Sequence, residues 1–141
     1  MILVPDASVA VKWVVSEDAG SDEVAADLLG QIVEGRVRAV VPELFFFELI
    51  AVLSRRLAKA VLVAEAIDRI ARLGMSRLAV DQELARRTTE LAFAHRVTGY
   101  DAAYLAVAQS VGGQWATFDR EAHKRVAKLG LSFVPGRSAH K

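Results

Sequence analysis

The chain has 141 residues, 53% of them hydrophobic and 25% charged, with no Cys and a formal net charge of only +1. That length suits one domain rather than two, and the apolar share excludes disorder and hints at a buried subunit interface. The missing Cys excludes a disulfide scaffold, a thiolate zinc site and a cysteine nucleophile and fits a reducing cytoplasm, while the near-zero charge on its face argues against a nucleic-acid binder.

In chain order, an apolar strand over residues 2–4 opens the sequence, interrupted by Asp6 and Lys12 too soon to be a secretory signal. Helical periodicity then covers 8–16 and 21–34, a β-branched strand 37–41, and two further helices 43–59 and 63–73. Strand 77–80 leads to helix 82–96, headed by Asp81 as an ordinary N-cap, and helix 101–111 leads to strand 115–117. Helix 120–129 and strand 131–134 complete the pattern. Gly35, Gly74, Gly99, Gly112 and Gly130 each follow a helical segment, where a left-handed terminating residue is wanted. The longest uncharged stretch, 102–118, is too polar and too broken to span a bilayer, so no membrane association is expected. Residues 136–141 read as a polar tail that frays, leaving 1–135 as the domain. Strands alternating with helices imply a three-layer α/β/α fold around a mostly parallel sheet of about five strands. In such sheets functional groups collect beyond the carboxyl ends of the strands.

Four acids stand out against that frame. Asp6 follows the first strand, Asp101 opens a helix and Asp119 follows the fourth strand; taken singly, each is explained as a helix cap. Glu48 is different, because it interrupts the apolar helix segment from Leu44 to Leu53, where an unpartnered carboxylate would cost several kcal/mol or take up a proton. Arg55 and Arg56 lie about two turns along the same helix and reach it poorly, so a divalent metal shared with the other acids is the better compensation. All four acids can meet at one end of the sheet, where they would repel one another without a cation. Mg²⁺ or Mn²⁺ suits an all-carboxylate site better than Zn²⁺. Such a site activates water and clamps phosphate oxygens, the chemistry of metal-dependent nucleases.

The segments from Val4 to Trp13, from Val41 to Glu48, from Thr98 to Ala108 and from Ala116 to Asp119 resemble the PIN domain, specifically the VapC-type toxins of VapBC toxin–antitoxin systems. The resemblance runs through nearly the whole chain in order and is most specific between Tyr100 and Ala108. It implies a single-domain endoribonuclease whose Asp6, Glu48, Asp101 and Asp119 bind one or two Mg²⁺ or Mn²⁺ ions, with Asp6 and Asp101 as principal ligands. It further implies products with a 3′-hydroxyl and a 5′-phosphate, a homodimer, and a VapB-type antitoxin whose tail covers the active site. Ser8 and Thr117 match small hydroxyl positions of the family and are expected to support the ligands or to bond local backbone. One departure is Ala51, where these toxins often carry Asn three residues after the Glu.

Other residues are weighed against plainer roles. His95, His123 and His140 sit at a helix end, in a basic helix and in the tail, settings that do not make an acid–base pair. Gly112-Gly113 reads as a turn rather than a phosphate loop. Phe45, Phe46 and Phe47 point to three helix faces, one for the sheet and the others for further cover by core, partner copy or antitoxin. Trp13 and Trp115 are assigned to the core or an interface. The stripe Arg120, Lys124, Arg125 and Lys128 starts directly after Asp119 and is expected to contact an RNA backbone. Rival functions are a catalytically weak RNA- or protein-binding scaffold and a phosphoacceptor domain; the latter would want a second acid beside Asp6, whose neighbours are Pro5 and Ala7. Setting the four acids aside leaves 13 acidic against 18 basic residues, a basic body around an acidic pocket.

Overall fold

Successive side chains of a strand face opposite sides of its sheet, and the first strand displays this directly: Leu3 is buried in one apolar cluster and Val4 in another. This computed structural model describes residues 1–136; the rest of the polar tail, with His140, lies outside the described residues. Its strands are β1 (Ile2–Pro5), β2 (Arg38–Pro42), β3 (Ser76–Leu78), β4 (Gln114–Ala116) and β5 (Ser132–Phe133). They form one parallel sheet in the order β3-β2-β1-β4-β5. Both faces are covered, as a parallel sheet requires. On the Leu3 side lie Leu28 and Ile32 of α2 (Ala19–Val33). On the Val4 side lie Leu49 and Leu53 of α3 (Leu44–Arg56), Leu84 and Leu91 of α5 (Gln82–His95), and Tyr104 and Leu105 of α6 (Gly99–Val111). The three-layer α/β/α arrangement is the one expected from the sequence.

The helices differ from expectation at three places. The helix expected over 8–16 is a single turn, α1 (Ala7–Ala10), followed by a 3₁₀ turn (Val11–Trp13). Val9, Val11, Val14 and Val15 are stiff β-branched residues that favour helix poorly, and the Trp13 indole N–H is drawn to the Ala25 carbonyl at 2.9 Å. The helix expected to run to residue 59 ends at Arg56, and α4 (Ala60–Ala71) starts earlier than expected. Leu57 and Lys59 are extended, so the chain reverses with neither Gly nor Pro to announce it. Lastly, Gly99 is not a left-handed terminator; it is the first residue of α6, and the left-handed residue ending α5 is Arg96, at φ 57° and ψ 41°. Thr98 is already committed as N-cap of α6, accepting the Asp101 N–H at 3.0 Å, so the reversal falls at Arg96.

From β1 the sheet grows one way to β2 and β3 and the other way to β4 and β5, which makes the gap between β1 and β4 the switch point of the fold. Asp6 lies directly beyond β1, and its backbone N–H donates to the Ala116 carbonyl of β4 at 3.2 Å. Asp119 lies three residues beyond β4 and caps α7 (Arg120–Val126), which continues into a 3₁₀ turn (Ala127–Leu129). Gly113 holds β4 close to β1: a Cβ there would stand 2.8 Å from the Ile2 carbonyl oxygen.

Candidate active site

Asp6 is the most enclosed of the four acids, 7% exposed. As N-cap of α1 it accepts the Ser8 N–H at 2.9 Å and the Ser8 hydroxyl at 2.5 Å on Oδ1, while Oδ2 accepts the Trp115 indole N–H at 3.1 Å. Thr117 hydrogen-bonds the same carboxylate. Burial nonetheless outweighs these bonds and holds the Asp6 carboxyl above the usual range. Ser8 also accepts the Phe118 N–H at 2.9 Å, and Thr117 accepts the Asp119 N–H at 3.0 Å, so the two hydroxyls tie the end of β1 to the loop that carries Asp119. Asp119 itself accepts the Ala122 N–H at 3.1 Å.

Glu48, in α3, accepts the Tyr104 hydroxyl proton at 2.7 Å. Tyr104 is buried and its ring stacks on Trp115, centroids 6.3 Å apart and planes 12° off parallel. A continuous layer therefore links Glu48 to Asp6 through Tyr104 and Trp115. Burial pushes the Glu48 carboxyl up, Tyr104 pulls it back, and Asp6 and Asp101 add like-charge repulsion. Burial, Asp119 and Asp6 together push Asp101 up to about 6.

All four acids line one cavity of about 500 Å³, with Ser8, Tyr104, Arg55, Phe47 and Tyr100 among its other walls. Among the described residues no Lys or Arg forms an ion pair with any of the four. Nor do any three acids or histidines among the described residues form a ready-made metal cage. The donor set still suits a hard divalent cation: the ligands are oxygens only, burial, with like-charge repulsion added at Glu48 and Asp101, holds three of the four above their usual pKa, and among the described residues Arg55 on the wall pairs with none of them.

The family model for the PIN domain matches residues 3–129. The chain belongs to the PIN domain family. Among solved structures it is similar to VapC20 of Mycobacterium tuberculosis, a toxin that cleaves the sarcin–ricin loop, at 21% identity and TM-score 0.70, covering 96% of this chain and 99% of that one. It is also similar to VapBC-1 of nontypeable Haemophilus influenzae (14% identity, TM-score 0.69, covering 95% and 98%) and to FitAcB of Neisseria gonorrhoeae (16%, 0.64, and the whole of both chains). No curated protein sequence gave a significant match.

Within this PIN domain the remaining sequence expectations divide. Asp81 is an N-cap, accepting the Leu84 N–H at 2.8 Å. Arg55 stands on the Glu48 face of α3 and reaches the cavity without pairing to it. Phe45 is fully buried, Phe46 packs edge-on against it under the Arg77 guanidinium, and Phe47 is 74% exposed at the cavity wall. His123 bonds the Ser132 hydroxyl of β5 at 2.8 Å. Arg120, Lys124, Arg125 and Lys128 stand apart from the acid cavity, and Arg125 donates to the Arg96 carbonyl at 2.6 Å. The residues that sequence reasoning missed are Tyr104 and Trp115. Tyr104 is three residues from Asp101 on one helix, hence on the same face. Trp115 pairs with Val4, two residues before Asp6, so both side chains emerge on one side of the sheet. A buried indole N–H needs an acceptor, and that was the readable signal.

Proposed function

We propose that this PIN domain is a metal-dependent endoribonuclease, the toxin of a type II toxin–antitoxin pair acting in the cytoplasm. The observation that carries the proposal is the convergence of Asp6, Glu48, Asp101 and Asp119 on one cavity at the switch point of the sheet, with none of them ion-paired to a Lys or Arg among the described residues. These four would hold Mg²⁺ or Mn²⁺, which when bound lowers the pKa of a water and clamps the oxygens of a phosphodiester. The protein's own contribution is positional. Ser8 and Trp115 fix one oxygen each of Asp6, Tyr104 fixes Glu48, and Thr117 anchors the backbone beneath Asp119. Asp101, near 6, is mostly ionised at neutral pH and ready to accept a cation. Arg55 is the cationic side chain of the cavity wall and would meet a substrate phosphate.

An antitoxin partner is supported by similar structures described as VapBC-1 and as a toxin–antitoxin complex from Klebsiella pneumoniae. Homodimerisation is supported by large exposed apolar side chains such as Phe47 and Phe93, at 74% and 85% exposure. Among the described residues no helix is long and apolar enough to cross a membrane. A silent RNA-binding scaffold is the second reading, favoured by Ala51 and by the lack of a ready-made metal cage among the described residues. Cleavage of single-stranded RNA with and without Mn²⁺ separates the two. The nuclease cleaves only with metal and loses cleavage in Asp6→Asn and Asp101→Asn with the fold intact. Undiminished cleavage in either variant would overturn the proposed mechanism.

A further inference from the structure

Away from the acids, the end of α5 and the end of α7 enclose a second cavity of about 320 Å³, lined by Ala94, His95, Arg96, Arg125 and Lys128. Apart from Ala94 every lining residue is basic, and among the described residues none of these bases is ion-paired to a carboxylate. Elsewhere some bases do meet acids: Lys12 and Arg56 meet Glu17, Arg86 meets Glu83, and Arg87 meets Glu90. A concave surface carrying unbalanced like charges repels itself and attracts an anion.

The backbone supplies an independent observation. Among the described residues, positive φ occurs at Gly35, Gly74, Gly112 and Gly130 and at one residue with a side chain, Arg96. Glycine would adopt that conformation without steric penalty, whereas an arginine resists it. The chain therefore carries a strained backbone at a residue whose side chain lines the basic cavity, and strain of this kind collects at sites of function. Arg125 is fixed there too, since its Nη1–H donates to the Arg96 carbonyl at 2.6 Å, and among the described residues its other guanidinium N–H groups remain for a ligand.

We propose that this cavity is a phosphate-binding subsite that holds the RNA backbone beyond the cleaved bond. The placement fits: Arg96 precedes Asp101 by five residues, and Lys128 follows the cap Asp119 along α7 and its 3₁₀ extension. At about 1.5–2 Å of rise per residue along α7 and its 3₁₀ extension, Lys128 lies on the order of 15 Å from Asp119, within a few nucleotides of the acids. The proposal rests on the ribonuclease reading for naming RNA as the ligand, but its test does not depend on cleavage.

The test is binding of a fluorescein-labelled single-stranded RNA by anisotropy in EDTA, across a salt series, for wild type, Arg96→Gly and Lys128→Ala. Each variant should bind several-fold more weakly, with the slope of log affinity against log salt smaller by about 0.7. Arg96→Gly keeps the carbonyl that Arg125 uses and relieves the left-handed strain, so its melting temperature should rise by a few degrees while affinity falls. A purely structural Arg96 cannot give that opposition. Unchanged salt slopes in both variants would overturn the proposal, as would loss of inorganic phosphate binding with RNA binding intact. If the slopes fall as stated but wild type shows no Mn²⁺-dependent cleavage, the subsite stands and the nuclease reading falls.

Discussion

Replacing Asp101 by Asn should stabilise the metal-free protein at neutral pH while removing activity. The Asp101 carboxyl sits at about 6 in the folded protein against 3.8 for the free side chain, pushed up by burial and by Asp119 and Asp6. Between about pH 4 and pH 6 the folded state holds a proton that the unfolded chain has released, so stability falls as pH rises through that window, and the penalty is complete above it. The full rise is worth about 3 kcal/mol. Asp101 is only partly buried, and solvent screening reduces that to about 1.5 kcal/mol. Opposing it, an acid in the first turn of α6 gains about 0.5 kcal/mol from the helix dipole, which Asn forfeits. The net expectation is about 1 kcal/mol of stabilisation, or roughly 3 °C in melting temperature, at pH 7.5 in EDTA. At pH 4 the gain should vanish, because Asp101 is then protonated in the folded wild type. Adding Mn²⁺ at pH 7.5 should raise the wild-type melting temperature and reverse the ranking, since the ion binds the folded state and the neutral amide of the variant is a poor ligand for it. Thermal melts at both pH values, with and without Mn²⁺, suffice. A variant less stable than wild type at pH 7.5 in EDTA, or equally shifted at both pH values, would refute the electrostatic account.

Two further predictions concern the layer beneath the acids and the β1–β4 contact. Trp115→Phe keeps the ring that stacks on Tyr104 but deletes the donor to Asp6, so Mn²⁺ affinity by calorimetric titration should drop about 10–100-fold with the fold retained; unchanged affinity would make the indole N–H incidental. Gly113→Ala puts a Cβ 2.8 Å from the Ile2 carbonyl oxygen and should destabilise by about 1–3 kcal/mol in urea unfolding, because both contacting groups are backbone-bound.

Period and punctuation carry the fold a long way in this sequence, and they fail where a local rule has two solutions. The alternation of Leu3 and Val4 between two apolar clusters follows from pleat alone, and so does the burial of both sheet faces. The breaks at Trp13 and Leu57 are different, because tertiary contacts end those helices: Trp13 bonds the α2 carbonyl of Ala25, and α4 folds back after α3 without a glycine between them. The four acids were legible because Glu48 makes no sense in an apolar helix by itself. Their supports were not, because the bond from Trp115 to Asp6 depends on strand register and the bond from Tyr104 to Glu48 depends on how two helices are docked. Ser8 and Thr117 follow from the resemblance alone; the Ser8 bond to Asp6 is local, two residues along the chain, whereas Thr117 reaches the same carboxylate from beyond β4.

The net charge of +1 shows the same limit from another side. A total cannot distinguish charges that neutralise one another from charges that are kept apart. Here some charges pair off, as Lys12 and Arg56 do with Glu17, whereas four acids at the switch point and a set of bases between α5 and α7 are among those that stay unpaired among the described residues. Exposed charges farther apart than about 8 Å are screened from one another at physiological salt, so a ligand feels chiefly the unpaired charges close to it. Among those charges are an acidic cavity suited to a divalent ion and a basic one suited to phosphate. On the proposed reading a polyanion cut at the first would be held at the second, and a near-neutral chain would meet both demands by segregating its charge rather than by accumulating it.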